Sequence, residues 1–273
     1  MRTLRRNAKA GFTMVEIALS LAVVAFALVA IMGVLPTGMT VEKDNREDTL
    51  INQEGRYWLE AIKNGARGLD EITNYVESIR VDRIEAGNKT NTVEFENTRA
   101  KPLLPTDIVS LLSTPKYPDG PGGGITNRVI ARLRPITGAA ADRAAMRGKT
   151  TNNITFRYQM QVEIVKSFPM PAVLAGDALA AGDPRPAQFN EGVGGSLWDV
   201  RLIMRWPVVD RGNSFFVGNS RKTLRGRVSG RQWPDPNFNE SWSPGELSSF
   251  VTTSFPNLTV LKPNQFNVRA GIQ

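Results

Sequence analysis

The chain has 273 residues, 41% of them hydrophobic, a formal net charge of +8, and neither cysteine nor histidine. That length suits one large domain plus an anchor, or two small domains. The missing residue types exclude disulfides, a Ser-His-Asp triad, a cysteine nucleophile, and zinc sites built on Cys or His. Carboxylate glycosidase and Ser-Lys chemistry survive by composition, but no spacing points to either, so no catalytic, cofactor-binding or metal-ligating residue is assigned.

The chain opens on Arg2, Arg5, Arg6 and Lys9, with no acid before Glu16. Lys and Arg beside an apolar helix stay in the cytoplasm, which predicts an inward N-terminus and an exported bulk. From Ile17 to Leu35 there is no charge, and Ser20 is the only hydroxyl. As a helix this run spans about 28 Å, close to the ~30 Å hydrocarbon core of a bilayer. A secretory signal would carry an apolar core of about 7–15 residues and end in a small-residue cleavage site. This run is longer and ends in Gly33-Val34-Leu35-Pro36. A plain anchor accounts for the apolar length and the basic flank, but it gains nothing from Glu16. A carboxylate at the edge of hydrocarbon is expensive if unpaired and by default marks function.

Gly11-Phe12-Thr13-Met14-Val15-Glu16 followed by an apolar helix resembles the N-terminus of type IV prepilins and of type II secretion pseudopilins. The resemblance implies that a prepilin peptidase cuts between Gly11 and Phe12, that Phe12 is then N-methylated, and that Glu16 takes part in subunit assembly. It also implies the partners: other pilin-like subunits, the peptidase, an inner-membrane assembly platform and the lipid bilayer. Removing Met1–Gly11 takes away four basic side chains and no acid, so the net charge falls from +8 to about +4. Much of the basic excess is therefore topological, and the mild remainder does not indicate a nucleic-acid partner.

Pro36 and Gly38 interrupt the helical run where it would leave the membrane. Proline removes a backbone hydrogen bond and kinks a helix, so either the anchor stops here or a kinked helix continues, as in pilins. Leu35-Pro36-Thr37-Gly38 lacks the residue that a sortase signal needs between Pro and Thr. From Thr40 to Lys63 an amphipathic helix is predicted, with Leu50, Ile51, Tyr57, Trp58, Ala61 and Ile62 at three- and four-residue spacings and Glu42 to Asp48 wet. Gly65 and Gly68 are placed to end it. Asp70 is placed to cap a second short helix through Ile72, Val76 and Ile79. The pair Tyr57–Trp58 reads as core packing rather than a ligand platform.

After Gly87 the apolar period changes to two. Thr92–Glu96 is a short strand candidate, and Lys101–Gly124, with its five prolines and glycine run, reads as loop. Arg128–Arg134 is a further strand. In Asn153–Phe168, Ile154, Phe156, Tyr158, Met160, Val162 and Ile164 alternate with polar residues, which predicts one buried face and one wet face. Ser196–Val209 repeats the alternation with Trp198, Val200, Leu202, Met204 and Trp206, and Lys222–Ser229 is a weaker strand. Gly148-Lys149-Thr150 resembles the end of a phosphate-binding loop, but Arg143 stands where that motif needs glycine. Pro169–Gly195 reads as a long connection, and Gln232–Gln273, rich in Pro, Asn and Ser, as an extension packing partly through Trp233, Trp242 and Phe250.

The segments Leu197–Val208, ending in Trp206-Pro207-Val208, and Arg221–Gly230, a basic strand, resemble the closing strands of Verru_Chthon cassette prepilin-like proteins, and among them the B member. That family is defined by cassette and leader, so it implies no reaction. The expected fold is α+β and pilin-like: a long N-terminal helix packed through its outer half on an antiparallel sheet of about four or five strands. The expected organisation is a cleaved leader (1–11), an anchor and assembly helix (12–39), an exported α+β domain (40–230) and a C-terminal extension (231–273). The expected function is structural: a minor pilin-like subunit in the inner membrane, single-pass, with its bulk outside the cytoplasm. The alternative is a membrane-anchored binding protein that never polymerises; an anchored carboxylate hydrolase would require a cleft with two close carboxylates.

Overall fold

The structure is a computed structural model that describes residues 11–65, 70–119, 123–136, 156–167, 196–210, 215–233, 250–251 and 260–263. The arginines and lysine of the leader, Gly68, the Gly148-Lys149-Thr150 spot, the Pro169–Gly195 connection, Trp242 and the start of the Asn153 strand candidate lie outside the described residues. The chain forms two compact units, Met1–Thr49 and Leu50–Gln273.

One helix, α1 (Met14–Asn64), carries the described part of the first unit and continues into the second. Pro36 lies inside it, so of the two readings left open at that position the continuing helix is the one found. Gly38 does not adopt the left-handed conformation that ends helices, whereas Gly65 does, with φ 66°. The Gly65 amide donates to the Ala61 carbonyl at 3.1 Å, closing the last turn.

Among its described residues the second unit forms a seven-stranded antiparallel sheet with one face on the end of α1. A 3₁₀ turn (Asp70–Tyr75) leads into β1 (Val76–Glu85), which hairpins into β2 (Asn88–Glu96). The two-residue turn Ala86-Gly87 has positive φ at both positions, 48° and 81°, which matches the right-handed twist of the flanking strands. Helix α2 (Pro105–Leu112) follows, then β3 (Ile125–Leu133), β4 (Tyr158–Lys166), β5 (Leu197–Asp210), β6 (Phe215–Trp233) and β7 (Val260–Pro263). The spatial order is β2-β1-β3-β4-β5-β6-β7.

Three expectations are corrected here. The short helix expected through Ile72, Val76 and Ile79 is a 3₁₀ turn followed by β1. A register shift between Val76 and Ser78 against β3 flips the inside–outside alternation, so Val76, Ile79 and Val81 all enter the core. A bulge of this kind makes a strand imitate helical spacing. The loop expected over Lys101–Gly124 contains α2, because Pro105 sits at the first helical turn, where its missing N–H costs nothing. Asp107 accepts the Leu104 amide at 3.3 Å, and Ile108, Leu111 and Leu112 are buried. Among the described residues the strand count is seven rather than four or five, the additions being β1 and the four-residue β7, which hydrogen-bonds along β6 from Gly230 to Trp233.

The core is built where α1 crosses the sheet. Ile51, Trp58, Ala61 and Ile62 are buried against Tyr158, Met160, Val200, Leu202 and Met204 on the inward positions of β4 and β5. Two glycines permit the close approach. A Cβ on Gly226 of β6 would stand 2.7 Å from Leu59 of α1, and one on Gly55 of α1 would stand 2.7 Å from Leu224 of β6. Each leucine fills the space left by the other element's glycine. Phe156 precedes β4 and is half-buried, so the buried face of that strand begins at Tyr158. From the tail, Val251, Val260 and Leu261 join the core, and Phe250 meets Phe95 edge-on with centroids 5.8 Å apart.

Candidate functional site

The predicted processing and assembly residues stand together at the start of α1. Gly11 and Phe12 precede the helix, and Phe12 is 81% exposed. No atom lies within 4 Å of where a Gly11 side chain would begin, so the Gly11–Phe12 peptide is unobstructed among the described residues. Glu16 occupies the third helical position, and Thr13 the cap position before it. The Thr13 hydroxyl accepts the Glu16 amide at 3.3 Å, and the Glu16 carboxylate accepts the Thr13 amide and hydroxyl, both at 3.4 Å. This reciprocal arrangement gives the Thr13 amide an acceptor and the Glu16 amide a second one beside the Thr13 carbonyl at 3.0 Å. The Thr-x-x-Glu spacing was its visible signal, and the sequence reading took only the charge of Glu16 from it.

Beyond Glu16, the large hydrophobic side chains from Ile17 to Val41 are all exposed, among them Phe26, Val29, Met32 and Met39. Stripped of a lipid or protein cover, that surface would associate nonspecifically in water. The helix is long and apolar enough to cross a membrane, by length and composition. Its hydroxyls turn back on the helix: Ser20 donates to the Glu16 carbonyl at 2.8 Å and Thr40 to the Pro36 carbonyl at 2.9 Å. Back-bonding of this kind hides polar groups within the helix itself.

The second unit holds its own segment of α1 by a buried polar cluster that sequence reading did not single out. Glu54 is fully buried on α1. It accepts the Tyr158 hydroxyl at 2.7 Å and the Ile136 amide at 2.8 Å, while Trp58 Nε1 donates to the Tyr158 oxygen at 2.7 Å. Burial, then the neighbouring Glu54 charge and its hydrogen bond, push the Tyr158 hydroxyl well above its usual pKa; the Trp58 bond opposes this. An acidic residue on the inward face of an amphipathic helix conflicts with its pattern, and these two partners, Tyr158 on β4 and Ile136 just past β3, are distant in sequence.

Among the described residues no group of three or more acidic side chains is arranged to hold a metal ion. Two carboxylates, Glu163 and Asp199, line one surface cleft, and both are engaged: Glu163 by Lys116 at 3.1 Å and Arg201 at 3.4 Å, Asp199 by Arg227 at 3.0 Å and the Ser167 hydroxyl at 2.9 Å. No known family's model matches the chain, and no curated protein or solved structure matches it either.

Proposed function

We propose that the chain is a minor, pilin-like subunit of a type IV pilus or type II secretion-type filament, held in the inner membrane by α1 and joined to its neighbours through that helix. The observation that carries this reading is the continuity of α1. It is apolar and exposed up to Val41, and without a break it supplies Ile51, Trp58, Ala61 and Ile62 to the core of the second unit. A tether needs no helical continuity into a domain's core, whereas a subunit positioned by its helix does. The open Gly11–Phe12 peptide is consistent with removal of the leader and methylation of Phe12. In this reading Glu16 pairs with the new amino group of an adjacent subunit, which rewards insertion in one axial register because an unpaired carboxylate in hydrocarbon is costly.

A second reading, a membrane-anchored binding protein that never polymerises, is favoured by one observation. Glu16 already has a role within its own helix, capping the first turn with Thr13. Two substitutions separate the readings. Glu16→Gln keeps a side chain able to serve a capping box but removes the charge, while Glu16→Ala removes both. Crosslinking to partner pilins is measured with membrane-inserted and cleaved amounts in parallel. The filament reading expects both variants to insert and be cleaved yet fail to crosslink. Wild-type crosslinking by Glu16→Gln would leave the carboxylate as a cap only, and the anchored binding protein would then lead.

A further inference from the structure

The face of the sheet turned away from α1 carries a concentration of arginine that the fold pairs only in part. On β5 and β6, Arg201, Arg205, Arg221, Arg225 and Arg227 alternate with the core residues and so share that face. The register sets Arg201 directly across from Arg225, and Arg205 across from Arg221. Like charges opposed in a sheet destabilise it. Arg201 and Arg227 have acidic neighbours, but among the described residues Arg205, Arg221 and Arg225 are exposed and make no ion pair. On the same face over β1–β3, Arg80 lies 3.5 Å from Asp82 and Arg132 2.6 Å from Glu94. Neutralising pairs thus cover Arg80, Arg132, Arg201 and Arg227 on this face, while among the described residues Arg205, Arg221 and Arg225 are left without one.

Beside these arginines is a cleft of 460 Å³ lined by Tyr117, Glu163, Asp199, Arg201, Arg225 and Arg227. The chain between α2 and β3 forms its wall, because the Lys116 amide donates to the Ile164 carbonyl at 2.8 Å and its carbonyl accepts the Asn127 amide at 2.8 Å. Positive charge then runs along β6 from Arg221 to Arg227, about 20 Å at the rise of an extended strand.

We propose that this face binds an acidic polysaccharide, a chain of sugars carrying carboxylates. Guanidinium groups recognise carboxylates through paired, planar hydrogen bonds, which lysine cannot supply. Glu163 and Asp199 keep acceptor capacity for sugar hydroxyls, and the half-buried Tyr117 lines the cleft wall. Nucleic acid fits the same face poorly. Among the described residues Tyr117 is the one aromatic ring lining the cleft, and none alternates with Arg221, Arg225 and Arg227 along β6 to stack successive bases. The proposal stands whether or not the chain polymerises.

The test uses the full chain in micelles of an uncharged detergent, titrated with polygalacturonate, with neutral dextran, and with single- and double-stranded DNA. Polygalacturonate is expected to bind, more weakly as salt rises, and dextran not to bind. The double variant Arg205→Gln/Arg225→Gln should weaken binding by about tenfold or more. Arg99→Gln, an exposed arginine elsewhere, should leave it unchanged. Arg225→Lys keeps the charge but not the paired geometry and should lose part of the affinity. Because the double variant relieves opposed charges, it should melt no lower than wild type. Tighter binding of either DNA, equal binding of dextran, an equal loss in Arg99→Gln, or a lower melting temperature in the double variant would each overturn the proposal.

Discussion

Replacing Tyr158 with phenylalanine removes one oxygen from the centre of the second unit and leaves its packing in place. Glu54 then loses a donor held at 2.7 Å, and Trp58 Nε1 loses its acceptor, also at 2.7 Å. A hydrogen bond to a charged group contributes about 1.5–3 kcal/mol, and a buried donor left without an acceptor costs about 1–3 kcal/mol, so the expected loss is about 3–5 kcal/mol. Against the roughly 5–15 kcal/mol that holds a typical domain, that is a large fraction. Urea titration of the full chain in detergent, read by tryptophan fluorescence, measures it. The pH response supplies a second readout. Folding holds the Tyr158 hydroxyl protonated above the unfolded pKa of about 10, so the folded state binds the extra proton in that range. Stability from this group is fully present below that pKa and is lost as pH rises through the raised folded value. Wild type should therefore weaken in alkali more steeply than the Phe variant. Gln159→Ala, one residue along on the opposite face, should stay within about 0.5 kcal/mol of wild type. A Phe variant within about 1 kcal/mol of wild type, with an unchanged alkaline limb, would refute the account of the cluster.

Other substitutions probe the remaining elements. Gly226→Val places a branched side chain where Leu59 of α1 already sits and should cost about 1–3 kcal/mol; combining it with Leu59→Ala should recover part of the loss in a double-mutant cycle. Ile79→Ala, in β1, whose bulge imitates helical spacing, should cost about 2–5 kcal/mol in the same urea titration, and a loss under about 1 kcal/mol would contradict its place in the core. Under the proposed processing, Gly11→Leu should leave the precursor uncut in cells that contain the peptidase, and intact-mass analysis would show Met1 retained; a mature chain starting at Phe12 from that variant would contradict the assigned cut.

The elements legible in the sequence are those whose signal is local. The uncharged run from Ile17 to Leu35 needs only composition to be read as a long apolar helix, and the amphipathic spacing beyond Thr40 needs only a window of a few turns. The alternation in β4 and β5 was equally plain, because each strand has one face on the core and one in water. The weak strand expected at Lys222–Ser229 proved to be part of β6, a much longer strand whose apolar signal is thinned by Gly226, which makes room for α1, and by Gly218, which makes room for Pro207 of β5.

Tertiary structure decided the rest. A bulge at the start of β1 gave a strand the spacing of a helix, and only its pairing with β2 and β3 identifies it. Strand β7 has four residues and no pattern of its own; the free edge of β6 and the Ser113 carbonyl supply its hydrogen bonds. The acid at position 54 is tolerable in a core because Tyr158 and Ile136, far along the chain, bring donors to it. The charge of five arginines was visible as residues, but their concentration on one face came from the register of β5 against β6. Periodicity is a property of a short stretch of chain, whereas a partner's position depends on where the rest of the chain folds.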